Sequence, residues 1–133
     1  MKVKCPTEHA EQTTLVSWFD RTYVSLKGRM FAIPNGAQLA GTIAQRAKQV
    51  NKLKAEGMQT GVPDLFLPVP AGGYHGLFIE MKRSKGGVTS ADQKEWHAYL
   101  NGSGYLCVVC KGHDAAIGIV TDYMSNTKWI KSE

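Results

Sequence analysis

The sequence has no acidic residue between Asp20 and Glu56, while Arg21, Lys27, Arg29, Arg46, Lys48, Lys52 and Lys54 all fall in that span. Charge of one sign over such a length suits a surface that faces phosphates; the plainer reading is a solvated helix face. Cysteine is scarce too, at three in 133 residues. An odd, small number excludes a disulfide framework and suits a reduced, cytoplasmic setting. Cys107 and Cys110 have C-x-x-C spacing, but YLCVVC reads as a strand, in which residues three apart face opposite ways. The histidines His9, His75, His97 and His113 lack ligand spacing, so no structural zinc is expected. The N-terminus has no apolar stretch of the signal-peptide kind and no run is long enough to span a bilayer, so no membrane association is expected. Internal repeats and low-complexity segments are missing as well.

What is present is an ordinary globular balance, 43% hydrophobic and 20% charged residues. It predicts one domain over residues 1–125, with residues 126–133 as a loosely attached tail. The net charge of +5 is compatible with a polyanionic partner but does not by itself demand one.

Thr7 is placed to cap a first helix, with Glu8 and Glu11 in its first turn. Leu15, Val16, Trp18, Phe19, Thr22 and Tyr23 recur at helical spacing and define its buried face. On a helical wheel Glu8 falls near the middle of that face and Glu11 towards its edge. A carboxylate in such a place belongs to a solvated helix end or is aimed into an active site. A short strand over Arg29–Ile33 ends in the turn Pro34-Asn35-Gly36. A basic amphipathic helix over Thr42–Glu56 follows, with Ile43, Ala44, Ala47, Val50 and Leu53 on its apolar side and Gly57 as its stop. Strands at Asp64–Leu67 and Leu77–Lys82 flank a Pro/Gly-rich loop. Ser90 and Gln93 have capping-box spacing for a helix that carries Trp96, Leu100 and His97 inward. Tyr105–Cys110 has the unbroken apolar character of a strand buried on both faces, and a last helix runs to about Tyr123. The order α-β-α-β-β-α-β-α predicts an α/β fold, a mixed sheet flanked by helices.

The chemistry concentrates in Gly61–Lys85. Residues two apart on a strand share a face, so Glu80 and Lys82 project together while Met81 points away. If the two strands pair as a hairpin, Asp64 joins them at the end far from the connecting loop. Two carboxylates and an ammonium at a sheet rim suit phosphodiester hydrolysis. Hard oxygen ligands hold Mg²⁺ or Mn²⁺, the metal activates a water, and the lysine orients the nucleophile and offsets charge on the phosphorane. The same spacing also fits a strand-end Glu–Lys ion pair beside an ordinary Pro-Asp turn, because both patterns are short.

The pieces around the stretch form an ordered set. G61-V-P-D64 and I79-E80-M81-K82 resemble the PD-(D/E)xK nuclease signature, and more narrowly the VRR-NUC family of virus-type replication-repair nucleases. T7-E-H-A-E-Q12, I33-P-N-G36, L53-K-A-E-G57, S90-A-D-Q93-K-E-W96 and G104-Y105 match in order as well, so the resemblance covers about Thr7 to Tyr123. It implies a restriction-endonuclease-like fold that cuts DNA with Mg²⁺ or Mn²⁺. Asp64, Glu80 and the main-chain carbonyl of Met81 would be metal ligands, Lys82 the catalytic lysine, and Gln93 a residue that orders the site. Gln93 is equally explained as a capping-box residue. Glu8 corresponds to the acidic residue of the family's first helix, holding the metal directly or through water. Stand-alone phage and bacterial members resemble homodimeric Holliday-junction resolvases, which implies branched DNA as substrate. Arg46, Lys48, Lys52 and Lys54 are the candidate phosphate contacts, with Arg83 and Lys85 beside the cut. The alternative reading is a non-catalytic DNA-binding or assembly module built on the same fold.

Overall fold

A computed structural model of the chain describes residues 4–34 and 39–126. Asn35 and Gly36 of the expected turn, and residues 127–133 of the expected tail, lie outside the described residues. The first helix, α1 (Glu8–Thr22), starts where the Thr7 hydroxyl accepts from the Ala10 N–H at 3.1 Å. Its buried stripe is led by Leu15 and Phe19, as the periodicity predicts. The two first-turn carboxylates exchange the places expected of them. Glu8 is exposed and Glu11 is buried, because Glu11 has partners inside: it accepts from the His113 N–H and meets His113 Nδ1 at 3.2 Å.

A short 3-10 turn (Val24–Leu26) leads to β1 (Phe31–Ala32), then α2 (Ile43–Ala55), β2 (Leu65–Leu67), β3 (Leu77–Lys82), α3 (Ala91–Gly102), β4 (Leu106–Lys111) and α4 (His113–Met124). The sheet order is β1-β2-β3-β4, antiparallel in the first two pairings and parallel in the last. This is the mixed sheet and element order expected. The parallel pair needs a crossover, and α3 supplies it.

Alternation along the strands divides the sheet into two faces. Leu65, Leu67, Leu77, Ile79 and Met81 join Leu15 and Phe19 of α1 and Ala116 and Val120 of α4 in one buried core. Each such large side chain, taken fully out of water, contributes about 1.5–3 kcal/mol before the entropy of ordering it. Phe66, Phe78, Glu80 and Lys82 occupy the other face, under α3. There Phe66 stacks on Phe78 at 4.3 Å and Tyr105 meets both edge-on.

Two expectations need correction. β4 is an edge strand among the described residues, and Val109 is 39% exposed, so this strand is not buried on both faces. Apolar composition reports what a strand tolerates, whereas its place in the sheet order decides what covers it. The helix α2 forms with a full capping box between Thr42 and Gln45, but it has no buried residue, and Ile43 is 81% exposed. It has no substantial packing contact with another helix or strand. Capping and amphipathic periodicity were enough to predict the helix and could not supply a surface for its apolar side.

Gly61 shows how tightly the chain before β2 is seated. Its φ is +88°, and a Cβ there would stand 2.6 Å from the Asp92 carbonyl carbon at the start of α3. Gly57 has φ +110° with nothing within 4 Å. Gly57→Ala is therefore expected to show backbone strain alone, about 1–3 kcal/mol. Gly61→Ala adds a steric clash of about the same size. Thermal unfolding of both variants checks this, and equal losses would contradict the close approach.

Candidate active site

The geometry starts from strand register. Leu65 lies opposite Ile79 in the β2–β3 ladder, so extending the register by one residue sets Asp64 opposite Glu80. The polypeptide returns Ile33 N–H to the Asp64 carbonyl at 2.8 Å, which fixes the Asp64 backbone as well. The Asp64 and Glu80 carboxyl groups are in hydrogen-bonding contact, and Asp64 Oδ2 also accepts from the Met81 N–H at 2.7 Å. In a strand the N–H and C=O of one residue point to the same side, so the Met81 carbonyl is directed towards this end of the hairpin, while its side chain lies in the core.

Burial is the largest influence on Glu80, which is 2% exposed; the hydrogen bond and then the charge of Asp64 act in the same direction. Together they raise its pKa to about 9 against the pull of Lys82, with a smaller push from Glu8. At neutral pH Glu80 therefore keeps its proton, since a carboxyl group shut away from water beside a second acid ionises poorly. Lys82 is 7% exposed and its Nζ donates to Gln93 Oε1 at 3.0 Å. Gly87 leaves room for the Lys82 stem, since a Cβ at Gly87 would stand 2.9 Å from Lys82 Cβ.

Gln93 has both roles that the sequence left open. The Ser90–Gln93 capping box is complete, and the oxygen that accepts from Ser90 N–H at 2.9 Å is the one that holds Lys82. One turn further along α3, His97 brings its Nε2 to 3.8 Å from Glu80 Oε1, too long for a hydrogen bond. Both atoms are buried without a partner. Burial first, then the Lys82 charge, lower the His97 pKa and hold the ring neutral. The sequence placed His97 on the inward side; the further signal was its spacing of four from Gln93, which puts both on one helix face.

The structure thus brings together Asp64, Glu80, Met81, Lys82 and Gln93. Glu8 stands exposed at the rim, near enough for Glu80 to feel its charge. Arg83 and Lys85 are exposed immediately after β3, whereas Arg46, Lys48, Lys52 and Lys54 are exposed on α2, apart from the site. Cys107 and Cys110 lie on opposite faces of β4, paired in register with Phe78 and Met81. Burial pushes their thiols up to about 12 and about 11, with the Glu80 charge a second cause at Cys107, so neither is a ready metal ligand or nucleophile.

The donor set fits a hard divalent cation. Two carboxylates and a backbone carbonyl are oxygen ligands of the kind Mg²⁺ and Mn²⁺ select, and a buried carboxyl such as Glu80 gives up its proton when it ligates a cation. Among the described residues, no three His, Cys, Asp or Glu side chains converge on one point.

A small mixed sheet with carboxylates and a lysine at one rim and helices on both faces defines the restriction-endonuclease-like class of α/β fold. The VRR-NUC domain matches residues 7–114, and the chain belongs to that family. Among solved structures it is similar to one described as a VRR_NUC domain protein, at 29% sequence identity and a TM-score of 0.78, over 94% of this chain and 93% of that one. Among curated proteins none matches. Family membership makes this a nuclease-type domain and DNA its class of partner. Among the described residues no helix is long and apolar enough to cross a membrane.

The raised Glu80 pKa has a stability signature. Between the ordinary carboxyl value of 4.5 and about 9, the folded protein keeps a proton that the unfolded chain has lost, so rising pH favours unfolding. His97 acts oppositely but only below its ordinary value of 6.5, and the buried Cys107 and Cys110 thiols add to the loss only as pH nears their ordinary value of 9.0, which leaves pH 7–8 clear. Over that window the metal-free protein is expected to lose up to about 1.4 kcal/mol per pH unit, and Glu80→Gln to lose that slope. Urea unfolding at pH 7, 7.5 and 8 measures both; parallel slopes in the two proteins would contradict the proton held on Glu80.

Proposed function

We propose that the protein is a metal-dependent DNA endonuclease that hydrolyses phosphodiester bonds, selective for branched DNA and active as a homodimer with Mg²⁺ or Mn²⁺. The observation that carries the reading is the meeting of Asp64, Glu80 and Lys82 at one sheet rim, with Glu80 and Lys82 buried. A surface ion pair would put Lys82 against Glu80 in water. Here Lys82 donates to Gln93 instead, and the Glu80 side chain is buried.

Asp64, Glu80 and the Met81 carbonyl would hold the cation, which supplies a Lewis acid for a phosphate oxygen and lowers the pKa of a bound water. Gln93 keeps the Lys82 ammonium aimed across the rim, where it orients the attacking water and offsets charge developing on the phosphorane. Glu8 adds negative charge at the rim and would reach the ion through water. Arg83 and Lys85, one and three residues beyond Lys82, contact the phosphates beside the cut. Arg46, Lys48, Lys52 and Lys54 contact phosphates further away. The apolar side of α2, with Ile43 at 81% exposure, and the β1 residue Phe31 at 46%, supply uncovered surface of the sort a second copy would bury. Two copies related by a two-fold axis present two rims, which suits two cuts in opposed strands of a junction. The three free cysteines suit a reducing, cytoplasmic setting.

A non-catalytic module of the same fold needs none of this site, so cleavage separates the two. Four-way junction, flap, fork and plain duplex are assayed side by side with Mn²⁺, with the oligomeric mass measured in the same buffer. Cutting of the junction by a dimer is expected, reduced at least about 10²–10³-fold in Asp64→Asn, Glu80→Gln and Lys82→Ala. Undiminished cutting by Asp64→Asn would overturn the proposal.

A further inference from the structure

The helix α3 carries a polar stripe at intervals of four: Gln93, His97 and Asn101. Residues at that spacing share a helix face, and this one lies over the site face of the sheet. Gln93 Oε1 takes Lys82 Nζ at 3.0 Å. Asn101 exchanges two hydrogen bonds with the Cys107 backbone of β4, donating at 3.3 Å and accepting at 2.9 Å. The stripe is therefore anchored at both ends, and Leu100 is buried beside the second anchor. His97 stands between them with no hydrogen bond, its Nε2 facing Glu80 Oε1 at 3.8 Å. Among the described residues, these two atoms are the buried side-chain N and O atoms that lack a partner.

Native interiors rarely keep an unpaired polar atom, and two that face each other across less than an extra ångström are rarer still. The cost of each is about 1–3 kcal/mol. Nearby, Met81 N–H donates to Asp64 Oδ2 and one of the three Lys82 Nζ hydrogens goes to Gln93 Oε1, while His97 Nε2 is the nitrogen that faces Glu80 Oε1. We infer that His97 is a positioning residue for Glu80, whose Nε2–H donates to Glu80 Oε1 when the carboxylate ligates a divalent cation, and so fixes the ligand's rotamer. The inference rests on the proposed metal-dependent nuclease site. It assigns to α3 a function at each of the two β3 side chains that carry the chemistry, Lys82 through Gln93 and Glu80 through His97. Outer hydrogen-bond partners of metal ligands orient them, and their loss costs about 10–100-fold in metal affinity.

The test is calorimetric titration of the full chain with Mn²⁺, without DNA, so that the readout is binding and not turnover. His97→Ala is expected to weaken Mn²⁺ binding about 10–100-fold, with no fall in the melting temperature of the metal-free protein. His97→Phe keeps a ring in the same space, loses the donor, and serves if the alanine variant does not fold; it is expected to weaken binding equally. His97→Gln restores a donor and is expected within several-fold of wild type. In a Glu80→Gln background, His97→Ala is expected to change the affinity no further. Wild-type affinity in both His97→Ala and His97→Phe would overturn the inference. A lower melting temperature with unchanged affinity would reduce His97 to packing. If the wild-type protein itself shows no Glu80-dependent Mn²⁺ binding, the nuclease reading fails and this inference fails with it.

Discussion

The Glu80 carboxyl group, shut away from water and set opposite Asp64 on the paired strand, cannot readily ionise without a cation beside it. That constraint organises the whole rim. It follows from the antiparallel register of β2 and β3, which is pinned by Leu65, Leu67, Leu77 and Ile79 on the core face. A slip of one residue would carry those apolar side chains to the site face and Glu80 into the core. The energy that keeps the chemistry in place is thus supplied on the opposite side of the same strands. Stability and function are divided between the faces of one small sheet.

The helices repeat this division. On the core side α1 and α4 pack against each other and against β3, and the buried Glu11 ties them together through the N-terminus of α4 at His113. On the site side α3 places a polar stripe over β3 and β4, with its start pressed against Gly61 just before the Pro63-Asp64 turn. Asp64 enters the rim from one side of that contact and Gln93 from the other. The close approach between Gly61 and the start of α3 thus seats the helix that carries Gln93 beside the strand end that carries Asp64. The helix α2 stands outside this arrangement, which leaves it available for DNA or a second copy.

Much of this was legible in the residues, and the exceptions share a cause. The hairpin, the strand alternation that turns Glu80 and Lys82 to one side, and the caps at Thr7, Thr42 and Ser90 are local, so spacing revealed them. Gln93 could be read as a cap or as a site residue because its one oxygen serves both. The exchange between Glu8 and Glu11 was not legible, since what makes Glu11 a buried residue is His113, far along the chain. Likewise the exposed side of α2 and the edge position of β4 depend on which elements become neighbours. Periodicity says that a face can be covered, and only topology says by what. His97 was visible as an inward residue, but its meeting with Glu80 required the placement of α3 over β3.

The central claim is that Glu80, buried beside Asp64, holds a proton at neutral pH in the place of a divalent cation. It is tested most directly by counting protons as the ion binds. Mn²⁺ is titrated into the metal-free protein at pH 7 in buffers of different ionisation enthalpy, and the observed heat is plotted against that enthalpy. Release of about one proton per ion is expected, falling to none in Glu80→Gln. Tight Mn²⁺ binding to the wild-type protein with no proton released would contradict the account.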